Sequence, residues 1–116
     1  MNHIEKVERP WGCFYVIHDE NQYKLKRIEL KPSERISYQY HNKRSESWTI
    51  VQGTGIVTIN ENDTSVGVGD TIVIAKKEKH RIKNNGSKIL IFIEVQTGSY
   101  FGEDDIIRIE DDYNRK

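Results

Sequence analysis

Two clusters of polar residues, set at fixed intervals in strand-like sequence, constrain this chain most. The first places Gln39 two residues before His41 and seven before Glu46, and the second ends in His80. Side chains two apart on a strand point to the same face, so Gln39 and His41 should enter one interior. Two imidazoles, one carboxylate and one amide oxygen suit a divalent metal of intermediate hardness. The spacing therefore predicts a metal site formed by Gln39, His41, Glu46 and His80.

The rest of the chain has the pattern of short strands separated by turns. Alternating or β-branched runs cover residues 13–17, 23–30, 35–41, 47–51, 56–59, 71–74, 80–83 and 89–95. Turn-forming residues separate them, most clearly at 60–63 and 67–70. Roughly nine short strands with regular turns indicate an all-β fold, a jelly roll or barrel. We expect a single domain over residues 1–116.

Composition restricts the class of protein. Lys plus Arg and Asp plus Glu both number 18, and this neutral balance does not favour nucleic-acid binding or polybasic membrane attachment. Cys13 is the only cysteine, so the sequence predicts neither an internal disulfide nor a cysteine-based metal site. The N-terminus lacks the apolar run of a signal peptide, and no apolar stretch approaches the ~18 residues of a membrane span. We therefore expect a cytoplasmic protein without nucleic-acid or membrane partners.

The two clusters resemble the two sequence motifs of the cupin superfamily. In the first motif Gln39 takes the place of the first histidine, and Ser33 the place of the opening glycine. In the second motif Ala75 and Lys77 replace the proline and the glycine. The matching positions are His41, Glu46, Gly53, Gly69, His80 and Asn84. The resemblance implies a cupin double-stranded β-helix, a jelly-roll barrel, with a metal in its interior.

A narrower resemblance, from Arg9 to Arg115, is to type II phosphomannose isomerase. The similar segments are residues 9–12, 23–28, 44–48 and 53–54 and the long tail motif 97–113. In many bacteria such a domain is the C-terminal part of a bifunctional mannose-1-phosphate guanylyltransferase. The family commonly has histidines where this chain has Asn42, Lys43 and Ser47. The resemblance implies interconversion of mannose 6-phosphate and fructose 6-phosphate, whereas the chain shows no glycine-rich phosphate loop for nucleotidyl transfer.

Interconverting these sugars moves a proton between C1 and C2 through a cis-enediol, which requires a base and stabilisation of a negative oxygen. Arg44 and Lys26 are the candidate catalytic residues, as enediolate or phosphate ligands. Lys26, Glu29 and a metal-bound hydroxide are candidates for the base. The competing interpretations are that Arg44 pairs with a carboxylate and that Lys24 and Lys26 form a solvated strand face.

The implied cofactor is a divalent metal ion, zinc first, although manganese, iron, cobalt and nickel also accept this ligand set. The implied partners are a small-molecule sugar phosphate and a second copy of the chain, since cupins often form homodimers through their sheet edges. Three alternatives remain: a non-catalytic metal- and sugar-binding cupin that assists a separate guanylyltransferase, an iron oxygenase and a structural protein.

Three further residues and the C-terminal tail carry expectations of their own. We expect Trp11 and Trp48 to pack in the core and Asn84 to fix a turn. The tail carries acids at 103–105 and 110–112. Their spacing is not that of an EF-hand loop, so we expect a solvated tail over a calcium site. In this interpretation Tyr100, Ile106 and Ile109 pack on the barrel.

Overall fold

A computed structural model describes residues 2–114, which form two antiparallel sheets. Arg115, where the resemblance ends, lies outside the described residues. Within residues 2–114 the chain has eleven strands, one 3-10 helix and no α-helix. In chain order the elements are β1 Glu5–Arg9, β2 Gly12–Asp19, β3 Tyr23–Leu30, β4 Tyr38–Tyr40, β5 Arg44–Gln52, β6 Thr54–Ile59, β7 Asn62–Gly67, β8 Thr71–Ile74, β9 His80–Asn84, β10 Leu90–Gly98, the 3-10 helix Glu103–Asp105 and β11 Ile107–Glu110.

The strand order gives the two-sheet architecture that the sequence predicts. The larger sheet has the order β1-β2-β3-β10-β5-β8, and the smaller one the order β11-β4-β9-β6-β7. Strands that are distant in sequence therefore pair, as β10 does with both β3 and β5. This arrangement turns the inner face of β3, β10 and β5 towards β4 and β9.

The interior has an apolar end and a polar end. Burial alternates along β10, where Leu90, Phe92, Glu94 and Gln96 are buried and the residues between them are less so. The apolar residues belong to a core that includes the nearly inaccessible Leu30 and is stabilised by the burial of large side chains, at ~1.5–3 kcal/mol each. The same inward face then continues with a carboxylate and an amide, so one end of the barrel interior can host polar chemistry.

The two tryptophans lie in this core, as the sequence predicts. Trp11 is 7% exposed and Trp48 is 1% exposed. The Trp48 ring packs against Phe92, with centroids 4.9 Å apart, and meets the imidazole of His80 edge-on at 5.7 Å. Trp48 therefore separates the apolar end of the interior from the polar end.

Asn84 fixes a turn, as expected. Its side-chain amide donates to the carbonyl oxygens of Leu30 and Lys88, at 2.9 and 2.8 Å, and its Oδ1 accepts from the backbone N–H of Gly86. All three polar bonds go to backbone groups, and the side chain is fully buried. The residue is committed to holding the loop between β9 and β10.

Two residues that replace motif glycines keep the backbone conformation of glycine. Ser33 and Lys77 both have φ 68°, in the left-handed region where residues with a Cβ are strained. The backbone N–H of Lys77 donates to the carbonyl oxygen of His41 at 2.7 Å, which ties the β8–β9 connection to the first motif. Both positions therefore have a backbone conformation that favours glycine, although neither residue is one.

The sequence predicts no membrane-spanning segment, and the helical structure can be compared with this prediction. Among the described residues, none of the helical structure is long and apolar enough to span a bilayer.

Candidate metal centre

Three side chains predicted as metal ligands converge in the barrel interior. His41 follows β4, Glu46 lies on β5 and His80 begins β9, so the two sheets bring them together. Candidate ligand atoms of His41, Glu46 and His80 all lie within 4.8 Å of one another. All three residues are at least 97% buried. Their convergence depends on strand alternation, because Glu46 and Trp48 share the inward face of β5.

Both imidazoles are held in the tautomer that leaves Nε2 free to bind a metal. Nδ1 of His41 lies 3.1 Å from the carbonyl oxygen of Asp105, and Nδ1 of His80 lies 2.9 Å from that of Glu78. A carbonyl oxygen only accepts, so each Nδ1 carries the donated proton. In a neutral ring the lone pair is then on Nε2, and a backbone acceptor behind the ring orients it.

The surroundings of the two Nε2 atoms are those of a cation-binding site. Nε2 of His80 is buried without a hydrogen-bond partner among the described residues. Nε2 of His41 lies 3.2 Å from Oε2 of Glu46. A lone pair facing a carboxylate at this distance repels it unless a proton or a metal ion lies between them. Two nitrogens and a carboxylate are donors typical of divalent first-row metals, so these residues fit a metal ion.

The charge states also suit metal binding. Burial opposes ionisation of Glu46, but the close contact with His41 and the charge of Arg44 outweigh it and hold the pKa of this carboxyl well below its usual value. Burial lowers the pKa of His80, partly opposed by the Glu46 charge. At neutral pH the site therefore offers an ionised carboxylate and an unprotonated His80 nitrogen.

Gln39 lies beside this triad. It is on β4, directly opposite His80 on β9, and it lines the cavity that also contains Glu46. Its placement agrees with the predicted face, and its role as a fourth ligand stays a prediction.

A cavity lined by both charged and apolar residues opens against the triad at Glu46. Among the described residues, Glu46 is the one member of the triad that lines the cavity. The remaining charged or polar residues of the wall are Arg9, Lys26, Ser37, Gln39, Arg44, Glu94, Glu103 and Arg108, and the apolar ones include Trp11, Phe14, Trp48 and Phe92. One cavity therefore joins a carboxylate of the triad to several basic side chains.

Lys26 faces this cavity and is not part of a solvated strand face. It is 3% exposed, its ammonium donates to Glu103 at 3.0 Å, and it lies over the Phe14 ring at 4.1 Å from the centroid. The expectation of a solvated face is wrong because Lys26 is in phase with Ile28 and Leu30, the inward positions of β3. Glu29 has the opposite phase and pairs with Arg27, so it is not a base for this cavity.

Arg44 joins the triad to the cavity. Its Nε donates to Glu46 at 2.8 Å, and its Nη2 lies 3.5 Å from Nε2 of His41. Nη1 is buried without a hydrogen-bond partner among the described residues and lies 3.9 Å from Oε2 of Glu103. Arg44 thus pairs with a carboxylate, as one interpretation held, and still presents an unsatisfied donor.

The acidic tail contributes to the site, which the sequence interpretation missed. Glu103 reaches the cavity, and Asp105 is 7% exposed and accepts from the backbone N–H groups of Asn42 and Lys43 at 3.2 and 3.0 Å. Burial opposes ionisation of Glu103, but Lys26 and Arg44 together hold its pKa below the usual value. The expectation of a solvated tail is therefore wrong for Glu103 and Asp105.

Packing of the tail also differs in part from expectation. Ile106 lines the cavity, but Tyr100 is 40% and Ile109 is 48% exposed. Polar contacts of Glu103 and Asp105, in the 3-10 helix, attach this segment to the barrel.

Glu94 and Gln96 are two further site residues that the sequence interpretation missed. Both are buried, and Nε2 of Gln96 donates to Oε2 of Glu94 at 2.6 Å. The available signal was their phase, since they continue the inward positions set by Leu90 and Phe92. Burial, and then the Glu46 charge, raise the pKa of Glu94 to about 7, against the opposing effect of Lys26 and Arg44.

The departures from the phosphomannose isomerase pattern lie away from the triad. Asn42 and Lys43 are exposed, and Ser47 occupies the face of β5 opposite to that of Glu46 and Trp48. The triad and the cavity wall are therefore formed without the three missing histidines.

Comparison with known proteins decides the family. A sequence profile described as "Mannose-6-phosphate isomerase C-terminal" matches residues 1–111. The chain belongs to the mannose-6-phosphate isomerase C-terminal family. Members of this family at 43–44% identity include the xanthan biosynthesis protein XanB of Xanthomonas campestris pv. campestris and the mannose-1-phosphate guanylyltransferase ManC of Salmonella typhimurium. Each match covers 95% of this chain but only 24% or 23% of the relative, so the chain spans about a quarter of their length.

Solved structures show the cupin fold. The capsular polysaccharide assembling protein CapF of Staphylococcus aureus matches 91% of this chain and 34% of its own, with a TM-score of 0.80 at 17% identity. A double-stranded β-helix protein of Klebsiella pneumoniae matches 91% of this chain and 80% of its own, with a TM-score of 0.75 at 20% identity. The predicted cupin jelly roll is confirmed, whereas similarity at this identity does not extend to function.

Proposed function

We propose that this chain is a metal-dependent sugar-phosphate isomerase that interconverts mannose 6-phosphate and fructose 6-phosphate. The observation that carries the proposal is the shared position of Glu46, which belongs both to the buried triad and to the wall of a cavity with several cations. The triad could bind a metal and the basic side chains an anion. Together they suit a substrate that has oxygens on neighbouring carbons and a phosphate group.

His41, Glu46 and His80 would hold the metal, and Gln39 is the candidate fourth ligand. When bound, the metal supplies positive charge that stabilises the negative oxygen developing on the sugar during isomerisation. Zinc is the first ion to test, because two imidazoles and a carboxylate are a common ligand set of catalytic zinc sites.

The phosphate is the chemical feature that the basic side chains would recognise. Arg44 and Lys26 are both at least 97% buried, and Nη1 of Arg44 is an unsatisfied buried donor among the described residues. An unsatisfied buried donor costs ~1–3 kcal/mol, which a charged ligand offsets. Glu103 lies between these cations, so an arriving phosphate dianion would compete with this carboxylate for them.

The names of the relatives support the same substrate class. One relative is named for the biosynthesis of xanthan, a polysaccharide, and the other for guanylyl transfer to mannose 1-phosphate, a phosphorylated sugar. Fructose 6-phosphate and mannose 6-phosphate would be the entry point of such a route, and the chain would supply mannose 6-phosphate for nucleotide-sugar synthesis.

A coupled assay tests the proposal. Protein stripped of metal is reloaded with zinc, manganese, iron, cobalt or nickel, and conversion of mannose 6-phosphate to fructose 6-phosphate is measured, with unphosphorylated mannose as the matched control. We expect turnover that requires both a metal and the phosphate. Bound metal without conversion would overturn the isomerase and support a non-catalytic cupin that assists a separate guanylyltransferase.

A further inference from the structure

Glu94 is a buried carboxylate in the cavity wall that belongs neither to the triad nor to the apolar core. It is 6% exposed and lies on β10 between Lys26 of β3 and Trp48 of β5, its register partners. The next inward residue of β10, Gln96, is paired with Glu46. Glu94 therefore lies one inward position from the carboxylate of the triad, inside the same cavity.

Groups of both charges surround Glu94, and none of the described residues forms a salt bridge with it. Gln96 donates to Oε2 at 2.6 Å, while Lys26 and Arg44 are the cations that act on it and Glu46 is the anion. Lys26 is already paired with Glu103, and Arg44 with Glu46. Among the described residues Glu94 is thus a buried carboxylate of the cavity wall without a salt bridge of its own, which suits it to gaining and losing a proton.

We propose that Glu94 is the catalytic residue that carries the proton between C1 and C2 of the sugar phosphate. This inference rests on the proposed isomerase function and adds the general base to it. The two side-chain alternatives are less suitable, because Glu29 lies on the outer face of β3 and the Lys26 ammonium donates to Glu103.

The step balances with no other reactant. The Glu94 carboxylate takes the proton from C2 of the aldose, and the C2–H electron pair becomes the C1=C2 bond of the enediol. The carbonyl π pair moves onto O1, which gains the proton that O2 loses when the C2=O bond of the ketose forms. The C1=C2 pair then takes the proton from the Glu94 carboxyl group at C1, which restores the carboxylate.

The test compares Glu94→Gln with Glu29→Gln in the metal-loaded protein. Both changes replace a carboxylate of β3 or β10 by an amide, but only Glu94 lines the cavity. We expect kcat to fall at least about 100-fold in the first variant, as for loss of a general base, with metal content and KM close to those of the wild type. The Glu29 variant should keep wild-type kcat. A Glu94→Gln variant with a kcat within tenfold of wild type would overturn the assignment.

A second variant keeps the test decisive if Glu94→Gln does not fold. Glu94→Asp retains an ionisable group, and the ordinary pKa of aspartate is lower than that of glutamate. In a plot of kcat against pH, the acidic limb of the Glu94→Asp variant should move to lower pH. A limb at the same pH as in the wild type would overturn the assignment. Wild-type protein that converts no sugar phosphate would instead refute the proposed function, so the two failures are distinguishable.

Discussion

Oε2 of Glu46 lies 3.2 Å from Nε2 of His41, and both side chains are 2% exposed. Nδ1 of His41 donates its proton to the carbonyl oxygen of Asp105, so Nε2 of a neutral ring carries a lone pair. The close approach therefore places this lone pair against the carboxylate of Glu46. Nε2 of His80 completes the group without a hydrogen bond of its own among residues 2–114. The relationship is what a cation site requires, and several predictions depend on it.

Asp105 should act as a positioning residue for the metal ligand His41. Its carboxylate holds the backbone N–H groups of Asn42 and Lys43, and its carbonyl orients the imidazole. Asp105→Ala keeps this carbonyl but removes the carboxylate that fixes the segment against His41. Because loss of an outer-shell partner typically costs ~10–100-fold in metal affinity, the change should weaken metal binding by up to this amount. Competition with a chromophoric chelator measures it. The neighbouring exposed residue gives the control, Asp104→Ala, and equal effects of the two changes would refute the role.

Lys26 should contribute to recognition of the phosphate group. Replacing it with methionine removes a buried charge and should raise KM for mannose 6-phosphate ~10–100-fold, the equivalent of one charge-assisted hydrogen bond. Steady-state kinetics measure KM, and Lys76→Met, in an exposed turn, is the control with the same change in charge. Inhibition by inorganic phosphate should weaken in parallel, and unchanged inhibition would show that Lys26 does not contact the phosphate.

Glu94 should make the stability of the metal-free protein depend on pH. Its pKa rises from an ordinary 4.5 to about 7 on folding, chiefly through burial. The stability that its protonated form provides is therefore fully present below pH 4.5 and is lost as pH rises to 7. Glu94→Gln keeps the side chain neutral, so its advantage over wild type should grow across this range to roughly 3 kcal/mol. Denaturant unfolding at several pH values tests this, and a constant difference would contradict the shift.

Restoring glycine at two motif positions should stabilise the fold. Ser33 and Lys77 have φ 68°, where a Cβ costs roughly 1 kcal/mol. Ser33→Gly and Lys77→Gly each relieve this strain but increase the freedom of the unfolded chain, so a net gain of up to about 1 kcal/mol is expected for each. Thermal unfolding measures the gain. Glycine at Lys76, an exposed neighbour outside the left-handed positions, is the control, and it should not stabilise.

The sequence predicted the features that depend on the alternation of residues along a single strand. Strand β3 has the predicted bounds, 23–30, and His41, Glu46 and His80 meet because inward positions on β5 and β9 are set by alternation. The predicted strand at 35–41 is observed only as Tyr38–Tyr40. Strands β1 and β7 were missed because they are polar edge strands, which lack a hydrophobic pattern.

What the sequence did not predict depends on contacts between distant segments. Glu103 reaches Lys26 across 77 residues, and Asp105 reaches Lys43 across 62, which no spacing rule encodes. Glu94 was missed for another reason: a single carboxylate in an apolar run was not placed in phase with Leu90 and Phe92. Applying the two-residue period to polar as well as apolar residues would have identified it.

The most direct test of the account is a titration of metal-free protein with zinc, or with the ion that works best, while conversion of mannose 6-phosphate is recorded. Activity should rise in proportion to bound metal and reach its maximum at one ion per chain. His80→Ala should bind the ion at least about 100-fold more weakly and stay inactive at that ratio, while His18→Ala, outside the triad, should follow the wild type. Full activity without metal, or full occupancy of the wild-type triad without activity, would contradict the account.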